Sequence, residues 1–215
     1  WIFIFVMITA VVAFAFNRQI IAMLLMPFPD GVEIVQIGVT EGLGVSMKVA
    51  IVAGLFVAFP VISFQTIMFI NPALEKKEKR YVYYSLPIVF TLFFLGISFS
   101  FFLLLPFMMK FLPTFLGDLV TPQISVRSVV GTTLWLMFVM GFIFQIPVVM
   151  FVLAKIGILD PGKVAKQRKF AILLSVIAGA VITPTGDPIN MLIWAAPIWV
   201  LFEIGLVLAR IASDK

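Results

Sequence analysis

Two of the few carboxylates in this sequence, Glu75 and Glu78, stand in a cluster of charge that follows a long apolar run. The six residues from 75 to 80 read EKKEKR, so both carboxylates have basic neighbours, and Glu75 and Lys79 are four residues apart, which is a helical spacing. A solvated, self-neutralised charge run is the ordinary interpretation of such a pattern. The alternative is a binding site, because the two carboxylates are held beside the edge of the bilayer. The apolar and aromatic segment directly before the cluster favours this second interpretation.

Three polar residues lie deep inside apolar runs, where burying a polar group costs free energy and marks a candidate site. They are Gln65, Gln145 and Glu203. Gln145 precedes Lys155 by about 15 Å of helix, so an interhelical hydrogen bond is its simplest role. Glu203 is followed by apolar residues up to Arg210, which lies on the same helix face. We expect Glu203 to snorkel or to pair with a basic group. Asp187, in the turn TPTGDP, is expected to cap the helix that follows it.

The composition restricts the class of protein and its chemistry. The 215 residues are 63% hydrophobic and 12% charged, with a mean hydropathy of +1.21, which indicates a polytopic membrane protein. There is no Cys and no His, which excludes disulfides, thiolate or imidazole metal sites and His-based catalysis. No Gly-rich phosphate-binding motif is present. We therefore expect no enzyme activity, no cofactor and no metal.

Charged residues delimit six apolar segments that must position these side chains. The segments are 1–16, 44–70, 81–109, 128–154, 170–186 and 188–209. Because a helix needs about 20 residues to cross about 30 Å of hydrocarbon, the fifth segment is too short to span comfortably, and it should form a thin hairpin with the sixth. Prolines at 60, 87 and 147 predict kinks in the second, third and fourth segments. The first segment begins without Met, and we expect that an upstream segment is missing.

Basic residues predict the orientation of these segments. Of the 15 Lys and Arg residues, 11 lie after the second segment, after the fourth segment or in the C-terminal tail. Loops rich in Lys and Arg remain cytoplasmic, so both termini are expected in the cytoplasm and 27–41 and 110–127 on the opposite side. This asymmetry accounts for the basic charge without a nucleic-acid partner. We find no internal repeat and predict one membrane domain over 1–215.

With these segments placed, the sequence resembles the TatC family, the polytopic subunit of the twin-arginine protein translocase. The resemblance covers essentially the whole chain and rests on four stretches in the family's order and spacing. They are PVISFQTIMFINPALEKKEKR at 60–80, GFIFQIPVV at 141–149, ITPTGDP at 182–188 and LFEIG at 201–205. The resemblance implies an all-α fold in which six transmembrane helices form a concave, cupped bundle with short fifth and sixth helices.

The resemblance also implies a function in the cytoplasmic membrane. Such proteins bind the twin-arginine signal peptides of folded cargo proteins and self-associate in a receptor complex. With single-span partners of the TatA and TatB type, they export the cargo using the proton-motive force. Glu78 matches the family glutamate that recognises the arginine pair, Phe69 matches an aromatic beside it, and Glu75 is the neighbouring candidate. Gln145, Asp187 and Glu203 are implied to be partner-binding or structural polar residues.

The sequence departs from the family pattern at three places. A second glutamate, in an N-terminal segment before the first span, has no counterpart in this sequence. Gln145 stands where the family often has glutamate, and Met191 stands where relatives carry glutamine.

Two other functions fit the sequence less well. A secondary transporter for a small solute predicts more paired intramembrane charge and an internal repeat, and an intramembrane enzyme lacks a convergent catalytic pair.

Overall fold

The computed structural model describes residues 2–28, 33–70, 76–108, 123–183 and 187–213, without the side chains of 70 and 76–78. Nearly all of this part of the chain is helical. The elements in order are α1 (Ile2–Ala15), α2 (Asn17–Leu25), β1 (Glu33–Val35), α3 (Glu41–Ile70), α4 (Lys76–Phe99), a π-helical turn (Ser100–Leu104), β2 (Gln123–Ser125), α5 (Val126–Ile143), α6 (Ile146–Lys155), α7 (Pro161–Lys166), α8 (Arg168–Ile182) and α9 (Pro188–Ser213).

Four helical stretches among the described residues are long and apolar enough to cross a membrane. They are Glu41–Phe69, Lys79–Met108, Val126–Lys155 and Pro188–Ser213. A fifth span is possible by length and composition if α1 and α2 are taken together, although their axes differ by 75°. The 15 residues of α8 extend only about 22 Å, short of the roughly 30 Å hydrocarbon layer. The prediction of an all-α polytopic membrane protein is confirmed, and the six-span count stays a prediction.

The sixth apolar segment forms a longer helix than the sequence predicted. α9 has 26 residues and rises about 39 Å, so the expectation that this helix is short is wrong. The apolar count stopped at Ala209, but Arg210 does not end the helix. A cation in the last turn is favoured there by the partial negative charge of the helix C-terminus. The short helix of the predicted hairpin is therefore α8 alone.

The prolines act differently in the three predicted kinks. Pro147 follows a break at Phe144 and Gln145 that divides α5 from α6, because a proline cannot donate the backbone hydrogen bond of the preceding turn. Pro60 and Pro87 lie inside α3 and α4, which continue through them without a break. A π-helical turn, which the sequence did not predict, interrupts the third span after α4.

Contacts divide the chain into two compact units. The first unit comprises Trp1–Ile62 and Ile97–Phe138, and the second comprises Ser63–Gly96 and Val139–Lys215. The prediction of one domain over the whole chain stays a prediction.

A buried carboxylate organises one end of the first unit. β1 pairs in parallel with β2, with Ile34 opposite Ile124. Beside this pair, Glu41 Oε2 accepts hydrogen bonds from the backbone N–H of Ile37 and Gly38, at 2.8 and 3.0 Å. Its Oε1 accepts from Ser125 Oγ at 2.6 Å and from Arg127 N at 2.9 Å. Ile37 and Gly38 lie just before α3, whereas Arg127 lies in the first turn of α5, where backbone N–H groups lack internal partners. Glu41 therefore joins the segment before α3 to the N-terminus of α5.

We expect Glu41→Gln to destabilise this end of the protein. Four donors surround the two carboxylate oxygens, and a glutamine would turn an NH2 group toward some of them. The melting temperature in detergent should fall by about 4 °C or more. Glu33→Gln is the matched control, since Glu33 is exposed and accepts a single hydrogen bond from Gln123 at 3.1 Å. Equal melting temperatures for the two variants would contradict the structural role of Glu41.

In the second unit, small residues let helices approach closely. A β-carbon on Gly179 of α8 would lie 2.5 Å from the carbonyl oxygen of Met191 in α9. A β-carbon on Gly205 of α9 would lie 2.6 Å from Met150 Sδ in α6. Close backbone approach is the main means of packing helices where lipid and side chains are equally apolar. These contacts, together with the fully buried Trp194, fix α6, α8 and α9 against one another.

Candidate functional site

The charged cluster is only partly within the described residues. Glu75 lies outside them, and Glu78 is described only by its backbone, in the first turn of α4. Phe69, in the last turn of α3, is 86% exposed and is available to a ligand or to lipid. On the other side of the cluster, the Arg80 guanidinium lies 5.5 Å from the centroid of the Tyr84 ring. Exposed aromatic residues therefore precede and follow the cluster in the sequence, at Phe69 and Tyr84.

Gln145 lies at the break between α5 and α6 and bonds to another helix. Its Nε2 donates to Val89 O of α4 at 3.3 Å and to Gly141 O at 3.2 Å. Its Oε1 is buried and accepts no hydrogen bond from any described residue. The simplest expectation, an interhelical hydrogen bond, accounts for the amide nitrogen.

Glu203 pairs with a residue that the sequence did not single out. Arg168, the first residue of α8, donates from Nη2 to Glu203 Oε2 of α9 at 2.8 Å. The side chains of Arg168 and Glu203 are 48% and 25% exposed, so solvent partly screens the attraction between the two charges. It holds the start of α8 against the middle of α9. The predicted pairing with a basic group is therefore present in the structure.

Asp187 occupies the N-terminal cap of α9. Its Oδ2 accepts from Asn190 N at 2.8 Å, and its Oδ1 accepts from Asn190 Nδ2 at 3.0 Å. Asn190 and Trp194 are fully buried, yet Asn190 Oδ1 and Trp194 Nε1 have no hydrogen-bond partner among the described residues. The departure from the family at Met191 falls on this same turn of α9.

The predicted polar residues do not gather into one cluster. Asp187 and Glu203 are 16 residues apart on α9, about 24 Å along its axis. Gln145 bonds to α4 and α5 instead. No group of three or more acidic residues that could hold a metal ion occurs in the described ranges.

One cluster was missed by reasoning from the sequence. Lys155, at the end of α6, donates from Nζ to Ala212 O of α9 at 3.1 Å and lies 5.0 Å from the centroid of the Tyr81 ring. The available signal was a basic residue and an aromatic residue at the ends of two spans, where such residues anchor helices at the membrane interface. It did not show that these two ends come together.

Comparison with known proteins gives a consistent result. The family model described as Sec-independent protein translocase protein (TatC) matches residues 1–197. A protein of that name from Carboxydothermus hydrogenoformans is 32% identical over 98% of this chain and 87% of its own length. Another, from Aquifex aeolicus, is 34% identical over 95% of this chain and 86% of its own length.

The fold agrees with this result. A solved structure described as the twin arginine translocase receptor TatC superposes with a TM-score of 0.85 at 33% identity, over 99% of this chain and 94% of that chain. A second, of the receptor in the detergent DDM, gives 0.86 at 34% identity, over 97% and 94%. The alternative of a small-solute transporter is not supported. Sequence and fold agree over nearly the full length, and the chain therefore belongs to the TatC family of Sec-independent protein translocase proteins.

Proposed function

We propose that this protein binds twin-arginine signal peptides and, with single-span partner subunits, exports folded cargo proteins across the cytoplasmic membrane. The proton-motive force supplies the energy, and the protein itself performs no covalent chemistry. The observation that carries the proposal is the likeness to the receptor structure over 99% of the chain. Self-association in a receptor complex belongs to the same proposal.

Glu78 is the proposed arginine-binding carboxylate, with Phe69 and Glu75 beside it. The position of Glu78 in the first turn of α4 supports this, because a helical backbone holds a side chain in one place better than a loop does. The exposure of Phe69 supports a role for its ring as an apolar wall next to the bound peptide. The arginine pair of the signal peptide would then be bound by the Glu78 carboxylate rather than by general electrostatic attraction.

The orientation proposed from the basic residues places this site in the cytoplasm. The chain has no Cys, so single cysteines can report sidedness. A cysteine replacing Lys77 should react with an impermeant thiol reagent only after the cells are opened, whereas a cysteine replacing Val39 should react in intact cells. Reaction at position 77 in intact cells would reverse the orientation.

Partner subunits are proposed to contact the protein at the break between α5 and α6, where Gln145 lies. The Gln145 side chain is partly buried, and its Oε1 has no partner among the described residues. Asp187 and Glu203, by contrast, have structural bonds in the protein, which supports positioning roles for them.

We expect Gln145→Leu to leave the protein folded and to reduce co-purification of a single-span partner severalfold. The lost interhelical bonds are long, and such bonds contribute about 0.6 kcal/mol on average in a membrane. The matched control is Thr91→Val, which removes a hydroxyl that donates within its own helix to Pro87 O at 2.9 Å. If Gln145→Leu unfolds the protein while the folded fraction keeps its partner, the role of Gln145 is structural only.

Peptide binding tests the proposed function itself. The full-length protein in nanodiscs should bind a twin-arginine signal peptide and should bind its twin-lysine variant at least tenfold more weakly. Arginine and lysine carry the same charge but differ in donor geometry, so this pair separates recognition from general attraction. Equal affinity for the two peptides, or no binding of either, would refute the proposal.

A further inference from the structure

An open cavity of about 670 Å3 lies in the second unit, where α6 and α9 end beside the start of α4. Its charged lining side chains are Lys155, Arg210 and Asp160, and the Tyr81 ring forms part of one wall. α6 ends cleanly at this point because Gly157, with φ of +76°, adopts the left-handed conformation that terminates a helix. The chain then turns away and leaves Lys155 at the cavity.

The cavity is cationic once its internal bonds are taken into account. Asp160 Oδ1 caps α7 by accepting from Gly162 N at 2.8 Å, and Oδ2 lies 3.8 Å from Lys163 Nζ. The Lys155 ammonium group has three N–H donors, and one of them donates a hydrogen bond to Ala212 O. Arg210 is exposed, and its guanidinium bonds to no described residue. Two cations thus have unused donors, whereas the one carboxylate is engaged.

An apolar groove of about 270 Å3 shares Tyr81 with this cavity. It is lined mainly by Tyr84 and Ile88 of α4, Val148 and Phe151 of α6, and Leu208 of α9. These residues lie inside three of the candidate membrane spans. Along α4 the groove extends from Tyr81 to Ile88, about 10 Å, and along α6 it extends equally far from Lys155. That is roughly two thirds of the hydrocarbon thickness of one leaflet.

We propose that the cavity and the groove together bind one anionic phospholipid. The phosphate accepts hydrogen bonds from Lys155 and Arg210, and an acyl chain lies in the groove along α4 and α6. Basic pockets between transmembrane helices are the usual sites for anionic headgroups. The occupant is a lipid rather than a partner helix because the apolar groove joins the cationic cavity at Tyr81, which matches an acyl chain attached to an anionic headgroup.

Native mass spectrometry of the purified full-length protein tests the proposal by counting lipid adducts. Titration with phosphatidylglycerol should show one tight adduct, at least fivefold tighter than with phosphatidylcholine. Arg210→Gln should weaken phosphatidylglycerol about fivefold and leave phosphatidylcholine unchanged, since one basic residue near the surface contributes about that much. Leu208→Trp, which fills the groove, should weaken both lipids.

Lys166→Gln is the matched control, because it removes the same charge from an exposed side chain that lies outside the cavity lining. It should leave the phosphatidylglycerol adduct unchanged. An equal loss for Lys166→Gln and Arg210→Gln would reduce the effect to general surface charge and overturn the site. Equal binding of the two lipids would also overturn it. If Leu208→Trp preserves the lipid adduct but releases a single-span partner, the groove belongs to that partner instead.

Discussion

Replacing Glu78 by Gln should lower the affinity for a twin-arginine signal peptide by about tenfold or more. The substitution keeps the shape of the side chain and removes its charge. Charge-assisted hydrogen bonds to a guanidinium contribute roughly 1.5 to 3 kcal/mol, and each 1.4 kcal/mol corresponds to a factor of ten in affinity. Fluorescence anisotropy with a labelled peptide and the full-length protein in nanodiscs measures the change directly.

Glu75→Gln is the matched control for this prediction. It removes the same charge three residues away, so a site that responds only to net charge would lose equal affinity in both variants. We expect a loss of less than about fivefold for Glu75→Gln, because screened surface charges contribute at most about 1 kcal/mol. The twin-lysine peptide should be nearly insensitive to both variants. Equal losses for the two glutamates would assign the binding to general electrostatic attraction.

Gly179→Ala should separate α8 from α9 and lower the stability of the second unit. The new β-carbon would lie 2.5 Å from Met191 O and 3.2 Å from Ala195 N, and backbone atoms of a packed helix cannot move away as a flexible side chain does. Overpacking of this kind costs about 1–3 kcal/mol, which corresponds to about 5 °C in the melting temperature. Thermal unfolding in detergent measures the loss.

Gly44→Ala controls for the change in helix propensity. Gly44 lies in α3, and a β-carbon there would meet nothing within 4 Å. Alanine is the better helix former at both positions, so Gly44→Ala should leave the melting temperature unchanged or raise it slightly. A Gly179→Ala protein as stable as the Gly44→Ala protein would mean that α8 and α9 have room to move apart.

Most of the helices could be located from the sequence because their ends are marked by local chemistry. Asn17 follows the first apolar run, and Pro147 divides the fourth. Asp187 precedes the last helix and caps it, as its residue type and position indicate. The shortness of α8 was also readable, since Thr183 is followed by Pro184, and the residue before a proline disfavours helix.

What the sequence did not reveal depends on contacts between distant residues. Glu41 and Ser125 are 84 residues apart, and neither has a neighbour in sequence that points to the other. Several basic residues in the sequence could have paired with Glu203, and its bond to Arg168 follows from the packing of α8 on α9. The π-helical turn at Ser100–Leu104 has no composition that distinguishes it from the apolar helix around it.

The parallel pairing of β1 with β2 has a consequence for the biogenesis of the protein. Each strand leads into a long helix, α3 or α5. The chain between the strands must therefore leave the membrane surface where β1 lies and return to that surface before the two strands can pair. If an insertion error left one of the two loops on the wrong side of the membrane, the bilayer would separate Glu41 from Ser125. The two hydrogen bonds that Glu41 accepts from Ser125 and Arg127 can therefore form only after correct insertion, and protease resistance of this junction would report that insertion is complete.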